Sequence, residues 1–78
     1  MELPVDLTRT LAAVVSAGSL EAAAADLHLT PSAVSQRLKA LETRIGRVLL
    51  VRAKPVRPTA AGESLIRLAR QLAALARL

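Results

Sequence analysis

Cysteine is missing from this chain, and so are phenylalanine, tyrosine and tryptophan. Without cysteine there is neither a disulfide framework nor a thiolate metal site. Without aromatics, the core of 78 residues has to be Leu, Val and Ile packed over closely approaching helices, and 16 alanines supply the approach. There is one histidine, His28, with no second ligand near it in sequence, so it reads as a turn residue and not as a metal or acid–base site. An enzyme needs a nucleophile–base pair or a cluster of ligands. One histidine and six scattered carboxylates offer neither, so no catalysis, cofactor or metal is expected. No apolar run approaches the roughly eighteen residues of a membrane span, and residues 1–18 lack the basic start of a signal peptide. A soluble cytoplasmic protein of one small domain, with no membrane partner, is the expectation.

Negative charge is also scarce, with six Asp and Glu against eleven Lys and Arg, and the imbalance is local. Residues 1–28 carry Glu2, Asp6, Glu21 and Asp26 against Arg9, a net of −3. Residues 29–57 carry Arg37, Lys39, Arg44, Arg47, Arg52, Lys54 and Arg57 against Glu42 alone, a net of +6. A positive field concentrated in one stretch is the footprint of a polyanion partner. On charge alone, an anionic membrane surface competes with nucleic acid for that role.

The basic stretch opens on TPSAVSQRLKALETRIG, residues 30–46. Val34, Leu38, Leu41 and Ile45 fall at i, i+4, i+7 and i+11, one apolar stripe of a helix. Ser32, Gln36, Lys39 and Thr43 line the opposite face, flanked by Arg37 and Arg44. Thr30 suits the N-cap, Pro31 the first turn, and Gly46 the left-handed residue that ends the helix. Short hydrogen-bonding side chains near the N-terminus let a helix approach base edges in the major groove. The cations and N-terminal amides then meet phosphates. A solvated amphipathic surface helix has a similar look, so the neighbouring segments decide between the two.

Ahead of it, residues 6–17 read as a helix with Leu7, Leu11, Val14 and Val15 on one face and no polar chemistry there, stopped by Gly18. Ser19 caps a short second helix over residues 20–27, with Leu20, Ala23, Ala24 and Leu27 buried and Glu21 in the first turn. Only His28, Leu29 and Thr30 then connect it to the third helix, which is the spacing of a helix-turn-helix. After Gly46, residues 48–51 form a β-type run, and Arg52-Ala-Lys-Pro-Val-Arg-Pro58 follows. That pattern predicts a small two-stranded wing kept at an edge by its prolines. A basic wing straddles the DNA backbone and can push Arg into the minor groove, although an ordinary charged hairpin fits the same residues. Thr59 caps a last helix over residues 60–78, where Leu65, Leu68, Leu72 and Leu75 fall at i, i+3, i+7 and i+10. That seam either folds back on the first helix or dimerises, placing two recognition helices about one DNA turn apart. The leucine pattern is still running at Leu78 with no C-cap, which creates the expectation that more protein follows.

The order SLEAAAADLHLTPSAVSQRLKALETRIG, then LLVRAKPVRPT, then TAAG opening a leucine-patterned helix, closely resembles the DNA-binding domain of LysR-type transcriptional regulators of bacteria. The resemblance implies a mainly α fold: three helices and a short two-stranded β wing over residues 1–58, with a long dimerising linker helix over 59–78. Carried over residue by residue, it puts Pro31, Ser32, Ser35 and Gln36 at base edges of double-stranded DNA and Thr30, Arg37 and Lys39 near phosphates. It puts Arg52, Lys54 and Arg57 in or beside the wing contacts, and Leu65, Leu68, Leu72 and Leu75 in the dimer seam. Family members bind interrupted palindromes as dimers or tetramers and bind their effector in a C-terminal periplasmic-binding-protein-like domain that these residues do not include.

Two departures stand out. Many relatives have Gln where this chain has Pro31, which removes one amide reader and shifts the burden to Ser32 and Gln36. Gln36, able to donate and accept together, suits adenine. Most of the family has Phe in the wing strand, whereas here the sequence is Leu49-Leu50-Val51-Arg52, with Arg57-Pro58-Thr59 after it. That wording is similar to the branch that senses lysine or arginine and activates a basic-amino-acid exporter gene. A rival class, a non-specific architectural or membrane-surface polypeptide, predicts binding without sequence preference, helix gain on anionic vesicles and indifference to Gln36→Ala.

Overall fold

The computed structural model describes residues 4–78; Glu2 of the acidic N-terminal count, and residues 1–3 of the stretch read for a signal peptide, lie outside them. Four helices and one hairpin follow in the order α1 (Val5–Ala17), α2 (Leu20–Leu27), α3 (Pro31–Ile45), β1 (Leu50–Val51), β2 (Arg57–Pro58) and α4 (Ala60–Leu75). The fold is the mainly helical winged helix-turn-helix with a following helix that the sequence predicts.

Most helix boundaries have a local cause. Ser19 and Thr30 sit in extended backbone, and their hydroxyls accept from the amides of Ala22 and Ala33, each at 3.1 Å. A cap of this kind contributes about 1 kcal/mol. Helix α1 ends where Gly18 turns left-handed at φ 83°. The α2–α3 turn closes differently: His28 takes the left-handed position at φ 57°, its amide donates to Ala25, and the Leu29 amide donates to Ala24 at 2.9 Å. This double closure lets α3 start with only three residues between it and the end of α2.

The core is the cluster Leu11, Val14, Ala23, Ala24, Val34, Leu38, Leu41, Leu49, Leu50, Leu65 and Ile66. Every helix contributes to it, and Ala23 and Ala24 let α2 come close to its neighbours. Two expectations for α1 need correction. It starts at Val5, one residue early, and its inner face is not free of polar groups, because Thr8 and Thr10 are buried. Their hydroxyls donate to the carbonyls of Pro4 and Asp6, one turn back, at 2.9 and 3.0 Å. Threonine is tolerated inside because its polar atom is satisfied within its own helix.

The wing is shorter than the 48–51 run predicts. Only Leu50 and Val51 pair, antiparallel, with Pro58 and Arg57. Helix α4 stops at Leu75 instead of running to Leu78. Its first half belongs to the core through Gly62, Leu65 and Ile66. Among the described residues, no helix is long and apolar enough to cross a membrane.

Candidate nucleic-acid interface

With Val34, Leu38 and Leu41 turned into the core, helix α3 must present its other side outward. Pro31, Ser32, Gln36, Lys39, Thr43 and Arg44 are exposed, while Ser35 and Arg37 are half-buried at the edges of that face. Thr30 is exposed too, but its hydroxyl is engaged in capping. Thr43 donates its hydroxyl to the Lys39 carbonyl at 2.9 Å, so it offers a groove mainly a methyl group. In the first two and a half turns of the outward face the free polar side chains are therefore Ser32, Gln36 and Lys39, near the end where the helix amides and dipole also favour an anion, and Arg44 lies further along.

The wing cations Arg52, Lys54 and Arg57 are all exposed on the hairpin. Its position is set from three sides. The Val56 amide donates to the Gly18 carbonyl at 3.0 Å, tying the tip to the α1–α2 turn. At the base, the Thr59 amide donates to Leu49 at 3.0 Å and the Thr59 hydroxyl donates to Val48 at 2.7 Å, while that hydroxyl also accepts from Gly62 as the N-cap of α4. From α3, the Glu42 carboxylate accepts from the Leu49 amide at 2.8 Å. Lys39, Glu42, Thr43, Gly46, Arg47 and Val48 line one shallow depression where α3 passes into the wing.

The Glu42 and Gly18 ties are not expected from sequence. Glu42 reaches seven residues along the chain and Gly18 thirty-eight, and neither distance leaves a periodic signal.

The leucine seam divides. Leu65 is 9% exposed and is part of the domain's own core, whereas Leu68, Leu72 and Leu75 are 45%, 42% and 62% exposed. Leu72 lines an apolar groove between α1 and α4 with Val5, Thr8, Arg9, Ala69, Ala73 and Ala76. The outward apolar strip of α4 thus begins at Leu68, one turn later than the heptad count alone suggests.

Comparison with known proteins agrees with this geometry. Residues 5–63 match the model of bacterial regulatory helix-turn-helix proteins of the lysR family. The HTH-type transcriptional regulator LysG of Mycobacterium tuberculosis is 63% identical over 65 residues, 83% of this chain and 22% of that protein. The lysine export transcriptional regulatory protein LysG of Corynebacterium glutamicum is 48% identical over 66 residues, 85% of this chain and 23% of that protein. The structure of full-length LysG from C. glutamicum with bound effector Arg matches at TM-score 0.90 and 43% identity, covering 96% of this chain and 26% of that one. A complex of the CbnR DNA-binding domain with DNA matches at TM-score 0.86 and 33% identity, covering 95% of this chain and 86% of that one. The chain spans less than a quarter of the length of the curated relatives it matches. It belongs to the LysR family, one of transcriptional regulators and not of enzymes, and is the winged helix-turn-helix DNA-binding domain of such a regulator.

Proposed function

We propose that this domain reads an interrupted palindromic operator as a homodimer, with α3 in the major groove and the wing on the flanking backbone. The observation that carries the reading is the outward face of α3. Ser32 and Gln36 are exposed beside Pro31, one to two turns from a capped N-terminus, with Lys39 one turn further. Pro31, Ser32, Ser35 and Gln36 are the base-edge residues. Thr30, Arg37 and Lys39 approach phosphates, and Arg52, Lys54 and Arg57 make the wing contacts. Residues 1–58 form the reading head, and residues 59–78 hold two heads together through Leu68, Leu72 and Leu75, with Leu65 anchoring the helix to its own head. Dimers can pair into tetramers in the full-length protein.

The names of the relatives support a further step. LysG of C. glutamicum is a lysine export regulator, and its full-length structure holds Arg as effector. We infer that the full-length protein acts in the cytoplasm, binds lysine or arginine in a separate effector domain, and regulates a basic-amino-acid export gene. Selection from a pool of randomised duplexes tests the DNA reading. Recovery of inverted half-sites separated by about one helical turn is expected; a recovered pool with no shared word would refute it.

A further inference from the structure

We propose that Glu42 is a positioning residue that keeps the wing in register with the recognition helix, so that groove and wing contacts are made together. The inference rests on the reading of the wing as a DNA contact. Glu42 is the one carboxylate among residues 29–57, which otherwise carry seven cations. An anion in a surface meant for phosphates works against binding, so its presence calls for a compensating role.

The structure supplies that role. Glu42 is half-buried on the edge of α3, and both of its acceptors take donors from the chain that follows. Its backbone carbonyl accepts from the Gly46 amide at 2.8 Å and closes the helix. Its carboxylate reaches three residues further and accepts from Leu49 at 2.8 Å, at the threshold of the wing. Leu49 is fully buried, and its carbonyl is held from the other side by the Thr59 amide. The base of the wing is thus clamped between α3 and the start of α4, and Glu42 is the α3 half of the clamp.

Six residues separate Glu42 from Gln36, roughly 9 Å along the helix axis. The residue that fixes the wing and the residue that faces the groove therefore move as one rigid piece. Two linked contacts reinforce each other only when the link lets both engage at once. Without the carboxylate, the hairpin keeps its ties at Gly18 and Thr59 but loses its reference to α3, and its cations contribute less to binding.

The test compares Glu42→Gln with Glu42→Met. Both remove the charge and both suit a helix, but only glutamine keeps an oxygen to accept from Leu49. Each is combined with neutralisation of the wing by Arg52→Ala, Lys54→Ala and Arg57→Ala. Affinity for one fixed duplex of arbitrary sequence is measured at low ionic strength, and circular dichroism confirms folding. Neutralising the wing is expected to weaken the wild type and Glu42→Gln alike, on the order of tenfold or more, and to weaken Glu42→Met about threefold or less. Loss of stability alone lowers the folded fraction of parent and wing-neutralised forms together and leaves their ratio unchanged. A Glu42→Met ratio as large as the wild type's overturns the positioning role. A wild type indifferent to wing neutralisation has a different signature: it overturns the wing reading, and this proposal with it.

Discussion

Gly62 lies so close to the Leu49 carbonyl that no Cβ fits between them. The obstacle is backbone, held in turn by the Thr59 amide, and Pro58 closes the space from another side. This approach seats the start of α4 against the base of the wing. Gly62→Ala is expected to destabilise the domain by ~2–3 kcal/mol, because neither neighbour can swing aside. Gly46→Ala provides the contrast, since a Cβ there meets open space and only the left-handed backbone resists it. Its cost is expected to be about 1 kcal/mol. Urea unfolding of the two variants checks the order, and a smaller loss for Gly62→Ala would contradict the close approach.

Gln36→Ala should cost on the order of 1–3 kcal/mol on the selected operator and relax preference at a single base pair. Gln36 is exposed and outside the core cluster, so thermal stability should stay close to the wild type's. Equal weakening on operator and scrambled duplex would remove it from base reading.

Lys39→Ala should weaken binding to every duplex and reduce the slope of log affinity against log salt by about one phosphate contact. The side chain is exposed on the outward face, and with Arg47 it lines the depression leading to the wing. A slope that does not change would mean that Lys39 meets no phosphate.

The features legible in sequence are those set within one turn of the chain. Ser19, Thr30 and Thr59 cap because a short oxygen can reach an amide three residues on, and Gly18 and Gly46 stop helices because they alone enter the left-handed region without strain. The same logic makes α2 and α3 readable to the residue, along with the exposed Ser32–Gln36–Lys39 face opposite Val34, Leu38 and Leu41. What escapes is whatever the tertiary fold decides. Thr8 and Thr10 look like surface residues until their hydroxyls are seen bonded one turn back. Leu65 fits the heptad count as well as Leu72 does, yet a domain without aromatics needs it in the core. Glu42 reads as one more solvated charge, and only the fold brings Leu49 within its reach.

Leu68→Asp combined with Leu72→Asp should abolish dimers and leave the helix-turn-helix folded, because both side chains are exposed and outside the core cluster. Sedimentation together with circular dichroism separates the two effects. An intact dimer in the double variant would contradict the assignment of α4 as the dimer contact, whereas an unfolded monomer would mean that this half of α4 braces its own domain against α1.

The most direct test is fluorescence anisotropy of the domain with two labelled duplexes, an interrupted palindrome of the family's T…A type and a scrambled duplex of equal composition. Each is titrated at low and at near-physiological salt. Phosphate contacts alone fade steeply as salt rises, while base contacts preserve the difference between the sequences. A preference for the palindrome that survives the higher salt is the result expected of a dimeric, sequence-specific reader. Equal binding to both duplexes that disappears with salt would contradict it, and would leave α3 as a basic helical surface with no reading function.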